Sequence, residues 1–136
     1  MKTNALAPYL QSLLRIVAAL SFMTHGTQKL FGWPGHVMGG GVVGGGVALF
    51  SQFGAAGVLE TAGGLLLLIG LFSRPVAFVL AGEMAWAYFQ AHFPRAFWPV
   101  LSGGEPAALY AFIWLFFAAA GPGPLSLDAR GRRSRI

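Results

Sequence analysis

Two ionisable side chains stand four residues apart in FMTHGTQKLFG (residues 22–32): His25 and Lys29. The run before them, LLRIVAALSFM, is apolar apart from Arg15. An imidazole and an ammonium at that spacing share one helix face. There they can hold or protonate a carbonyl oxygen, relay protons, or neutralise a carboxylate. Two carboxylates are available. Glu60 lies in GVLETAGG, in line with Gly57, Gly63 and Gly64. Glu83 forms a stripe with Trp86 and Gln90 at i, i+3 and i+7. His25, Lys29, Glu60, Glu83, Trp86 and Gln90 are therefore the candidates for holding a ligand or relaying protons. Arg15, Lys29, Glu60 and Glu83 are the candidates for ion pairing.

The elements that carry these groups must be helices. At ~100° per residue, Gln11, Arg15, Phe22, His25 and Lys29 fall within a sector of roughly 80°. The first helix thus has one polar face, which should point into a bundle. The glycines around Glu60 allow another helix backbone to approach closely. Two readings of the polar face stand side by side. Buried ion pairs can simply fix helix register, or the cluster can line a cavity open to the outer leaflet.

Composition places the helices in a bilayer. Of 136 residues, 56% are hydrophobic and only 10% charged, against roughly 25% charged in ordinary soluble domains. Mean hydropathy is +0.66. A membrane core of ~30 Å needs ~20 apolar residues. Four segments approximate that: 8–31, 53–72, 75–92 and 106–120. The expected fold is all-α, a four-transmembrane-helix bundle over residues 1–125 followed by a basic cytoplasmic tail, 126–136. The first span carries Lys2 upstream but contains Arg15 and lacks a small-x-small cleavage site, so it reads as a retained helix. Each charge at mid-membrane costs ~2.5–3.5 kcal/mol. Partners, partial hydration or protonated carboxylic acids must offset that cost.

Topology follows from the basic residues. With both ends inside, Lys2, Arg15, Arg74, Arg130, Arg132, Arg133 and Arg135 fall toward the cytoplasm, and Lys29 and Arg95 fall outside, as the positive-inside rule expects. Trp33 and the FWP at 97–99 then sit at the outer interface. The net charge of +5 is better explained by topology and anionic lipid than by nucleic acid, for which no recognition motif is present. Cysteine is absent, and three His with four acidic residues are too few for a metal cage, so no metal site is expected. A redox role would require a bound cofactor or partner.

Several residues read as structural. Ser102 and Glu105 in SGGEP form a Ser-x-x-Glu capping box before a proline suited to a first helical turn. Arg74 in SRP reads as a cytoplasmic anchor. His36 and His92 read as interfacial surface residues. Asp128, after GPGPLS, is placed to cap or clamp the tail. The glycine-rich stretch 39–46 lies in a long loop and reads either as a re-entrant element or as a linker.

The pieces LLRIVAALSFMTHGTQKLFG, GVLETAGGLLLLIGLFSRPVA, SGGEPAALYAF and GPGPLSLD, in that order, resemble the DoxX family of small four-helix bacterial membrane proteins. The resemblance implies an inner-membrane bundle linked to redox metabolism, since the family takes its name from a small subunit of a thiosulfate:quinone oxidoreductase. Arg15, His25, Gly26, Lys29, Glu60, Gly63, Gly64, Glu83 and Glu105 match the family's recurrent polar and glycine residues. The function expected is that of a quinone-associated subunit of a sulfur or oxidative-stress redox system, with quinone as ligand. In it Lys29 and His25 hold the quinone carbonyls, Glu60 and Glu83 relay protons, and Trp86 and Phe22 offer ring contacts. One alternative is a non-catalytic membrane scaffold or assembly factor that recruits a soluble oxidoreductase. Another is a small-solute or proton pathway.

Overall fold

The computed structural model describes residues 5–35 and 50–133. His36 and the glycine-rich stretch 39–46 lie outside the described residues. Among those described, the chain forms helices and no strands. Helix α1 spans Ala7–Phe31, with Pro8 in its first turn and Gly32 closing it in the left-handed region. Helix α2 spans Gln52–Ile69; the Ser51 side chain caps its start by accepting from the Gly54 N–H at 3.0 Å. Helix α3 spans Ser73–Ala87 and runs on as a π turn over Tyr88–His92. A short helix α4, Pro99–Ser102, precedes α5, Glu105–Ala120, and α6 spans Leu127–Arg133.

Neighbouring side chains fix the topology. Gly57, Gly64 and Gly70 of the second segment face Lys29, Met23 and Arg15 in turn, so α2 runs antiparallel to α1. Leu80 of α3 packs against Gly63. On α5, Tyr110 and Trp114 set their rings 5.0 and 5.3 Å from that of Phe22. The result is an up-down-up-down bundle with α1 packed on α2 and α3 on α5. The core is Phe22, Leu67, Leu80, Trp114 and Phe117 with several alanines.

The usual pattern of burial is partly inverted. Arg15 is 0% and Glu60 1% exposed, while Leu10, Leu13, Val17, Leu65, Phe78, Phe112 and Phe116 lie on the outside. On α1 the buried set is Ser12, Arg15, Ala18, Ala19, Phe22 and Gly26; of the polar face read from the sequence it includes Arg15 and Phe22, while Gln11 and Lys29 are half-buried and His25 is exposed. Length and composition alone single out one membrane-capable helix among the described residues, Gln52–Ile69, where sequence patterning gave four. The reason lies in the elements: α1 is long but diluted by polar residues, α3 has 15 residues before its π turn, and α5 has 16.

The described part of the expected tail is an ordered helix. The Asp128 carboxylate accepts the N–H groups of Phe72 and Ser73 at 2.9 and 2.8 Å, capping α3. Phe72 holds a positive φ of 50°, and the carboxylate satisfies the donors at that sharp α2–α3 corner.

Candidate functional site

The site begins with a close helix approach. A Cβ on Gly26 would collide with the Thr61 hydroxyl and backbone nitrogen and with the Gly57 carbonyl, so α1 and α2 touch backbone to backbone there. One turn further along α1, that contact delivers Lys29 to Glu60. The Lys29 ammonium donates to both carboxylate oxygens, at 2.5 and 2.6 Å. The Lys29 and Glu60 side chains are 22% and 2% exposed. Two of the three ammonium N–H donors are thereby used. Phe53 lays its ring 5.8 Å from the same nitrogen, within cation–π range.

The pair forms a wall between two cavities. The larger, about 740 Å³, lies between α2 and α3 and is lined by Lys29, Glu60, Phe53, Leu59, Glu83, Trp86 and Gln90 among others. Both Glu83 oxygens are buried with no hydrogen-bond partner among the described residues. Gln52 donates to Gln90 at 2.5 Å across one end of it. The smaller cavity, about 260 Å³, lies on the α5 side and is lined by Phe22, His25, His92 and Tyr110 as well as the pair. An apolar hollow with a few convergent polar groups is the usual form of a small-molecule site. This one presents a fixed cation and an unpartnered carboxyl.

The structure divides the expected residues. Lys29, Glu60, Glu83, Trp86 and Gln90 share the larger cavity. His25 does not. It is solvent- or lipid-accessible at the rim of the smaller cavity, its ring edge-on to Tyr110 with centroids 6.1 Å apart. Arg15 is not a counter-charge to either glutamate. It donates to the carbonyls of Pro122 and Leu125, each at 2.7 Å, while Gln11 holds the Gly121 carbonyl at 2.7 Å. Those carbonyls belong to the GPGPLS turn, which has no helical ladder to occupy them. Arg74, read as an anchor, donates to the Ala118 and Ala119 carbonyls at 3.2 and 2.5 Å and so closes the end of α5.

The capping box does not form. Gly104 caps α5 without a side-chain bond, and Glu105 is already helical. Ser102 instead ends α4, donating to the Pro99 carbonyl at 3.3 Å and accepting from the Gly104 N–H at 3.3 Å. The sequence reading also missed His92, Tyr110, Phe53 and Gln52. His92 lies on the π turn with its Nδ1 3.1 Å from the Ser102 carbonyl. The helical period stops being a guide where a π turn shifts the register. Phe53 opens the expected second span and Gln52 lies just before it, so neither stands out by type or spacing. Among the described residues no group of three His, Cys, Asp or Glu side chains could hold a metal ion.

The DoxX family model matches residues 10–93. An uncharacterized protein of Haemophilus influenzae (strain ATCC 51907 / DSM 11121 / KW20 / Rd) is 43% identical over 125 residues, covering 89% of this chain and 90% of its own length. No solved structure matches the chain. The chain belongs to the DoxX family, whose members are membrane-associated.

Proposed function

We propose that this DoxX-family protein is a four-span, inner-membrane subunit that binds a quinone head between α2 and α3 and serves a redox system whose electron donor is a partner protein. The observation that carries the reading is the Glu83 carboxyl. Both its oxygens are buried without a partner, in the same cavity as a fixed Lys29–Glu60 pair. A buried polar group left unpaired costs ~1–3 kcal/mol, and a ligand with a complementary group recovers that cost. The apolar walls, Leu59, Val79 and the faces of Phe53 and Trp86, suit the ring. The third Lys29 donor and the Glu83 carboxyl suit its two oxygens. When bound, a quinone supplies two-electron, two-proton acceptor chemistry. The chain's own part is to orient the head and to hold protons at Glu83 and the Lys29–Glu60 pair.

Membrane placement is supported by the outward-facing leucines and phenylalanines, since soluble monomers rarely expose contiguous apolar patches of more than a few hundred Å². The basic residues favour both termini in the cytoplasm. Protein purified in mild detergent should carry quinone, detected by absorbance and mass analysis of a solvent extract. The Glu83→Gln variant should carry much less. A protein that retains no quinone, and whose Lys29 and Glu83 tolerate substitution while a soluble oxidoreductase copurifies, would instead be a scaffold.

A further inference from the structure

A second hollow meets the first. It lies between α3 and α5, has a volume of about 550 Å³, and is lined by Phe78, Ala85, Phe89, Ala108 and Phe112 among others. Gly82 lines both hollows. On α3 the residues around it, Phe78, Val79, Trp86 and Phe89, are all large and exposed, at positions i−4, i−3, i+4 and i+7. They form a ridge between the two hollows, and Gly82 is the gap in it. A Cβ added at Gly82 would meet nothing within 4 Å, so the glycine is not required by packing. It also costs the helix stability relative to alanine.

Several features set the direction of a ligand through this gap. The Gln52–Gln90 hydrogen bond bridges the outer end of the larger cavity. The polar groups, Lys29, Glu60 and Glu83, stay on its inner wall. The α3–α5 hollow has no charged residue among its lining and extends along α3 from Phe89 to Phe78, about 16 Å at the helical rise. An amphiphile whose head sits by Glu83 therefore has an apolar channel leading from its ring.

We propose that the ligand is long-tailed, and that its prenyl tail crosses α3 through the Gly82 gap to lie in the α3–α5 groove. This rests on the quinone-head reading above and adds the tail as a second recognition element. Gly82 is then a specificity-determining position: its lack of a side chain selects ligands with a tail over bare heads.

The test compares two probes on full-length protein in detergent micelles: a long-tailed prenylated benzoquinone and the same head carrying a single prenyl unit. Each is titrated against wild type, Gly82→Leu and Ala108→Leu. The Gly82→Leu side chain fills the gap, and Ala108→Leu narrows the groove beyond it. Wild type is expected to prefer the long-tailed probe. Both variants should weaken that probe by roughly tenfold, the scale of a methylene misfit in an apolar pocket, and Ala108→Leu, which lies outside the head cavity, should leave the short one unchanged. Thermal melting of each variant keeps misfolding separate from a binding effect. Equal weakening of both probes, or no change for either, overturns the tail path. So does loss of copurifying phospholipid with unchanged quinone affinities, which would make the groove an acyl-chain site. If wild type binds the short probe without favouring the long one, the head reading survives and the tail proposal fails. If wild type binds neither probe, the head reading falls and the tail proposal with it.

Discussion

At the scale of single residues, Lys29, Glu60 and Glu83 are three ionisable groups in unequal circumstances. Lys29 and Glu60 satisfy each other at 2.5 and 2.6 Å, whereas Glu83 has no hydrogen-bond partner among the described residues. Removing one member of a buried pair strands the other, at a cost of ~3–5 kcal/mol. Lys29→Met should therefore lower the thermal midpoint in detergent sharply. Adding Glu60→Leu to Lys29→Met should recover most of the loss, because an apolar pair leaves no stranded charge. If the double variant melts no higher than Lys29→Met, the pair is not the source of the cost. Glu83→Gln should behave in the opposite way. It breaks no hydrogen bond among the described residues, so the midpoint should hold or rise. Quinone affinity should fall by up to about tenfold, the upper end of the net worth of one neutral hydrogen bond. Equal loss of stability and binding would mean that Glu83 serves the fold. That Lys29 would meet a carboxylate was legible in the sequence, because charges within apolar spans must find counter-charges; that it would be Glu60 and not Glu83 was not. The partners of Arg15 were not. They are backbone carbonyls of Pro122 and Leu125, and every residue has a carbonyl, so nothing in the sequence marks those two.

At the scale of elements, the helices were readable and their corners were not. The glycine face of α2 follows the 3.6 period and is buried as that period requires, whereas the polar stripe of α1 is buried at Arg15 and Phe22 but opens out at His25. The α2–α3 corner depends on Asp128, 56 residues after Phe72, and the end of α5 depends on Arg74. Such long-range side-chain caps leave no local pattern. The SGGE stretch is a case where a local motif lost: α4 takes Ser102 as its own last residue, so the serine cannot also cap α5. Two glycines with opposite surroundings test the packing. Gly26 meets the Thr61 and Gly57 backbones, whereas Gly82 meets open space. Gly26→Ala should push α1 from α2 and cost ~1–3 kcal/mol by overpacking, with Lys29 pulled off Glu60 as a consequence. Gly82→Ala should raise stability by up to about 1 kcal/mol through helix propensity alone. Both are read from melting midpoints, and equal effects would refute the α1–α2 contact.

At the scale of the whole molecule, the two ends of the bundle differ in chemistry. One end carries the Gln11, Arg15 and Arg74 carbonyl clamps with α6 docked beside them. The other carries exposed Trp33, Phe93, Phe97 and Trp98, the aromatic type found at membrane interfaces. Between them runs the lipid-suited band of leucines and phenylalanines. Four helices alternating in direction return the chain to the clamped end, so Arg95 and Arg130 should emerge on opposite faces of a membrane. The absence of cysteine gives a clean background for testing this. Both arginines are exposed, and neither is a member of the candidate site, so Arg95→Cys and Arg130→Cys should leave binding intact. With a membrane-impermeant maleimide, Arg95→Cys should label in cells whose inner membrane is sealed. Arg130→Cys should label only after that membrane is broken. Labelling of both from the same side would require an even number of crossings between them and would exclude α5 as a span. The reversed pattern would keep four spans but put the clamped end outside. That outcome would move the Lys29–Glu60 pair to the cytoplasmic half of the bilayer, and any protons it holds would then exchange with the cytoplasm.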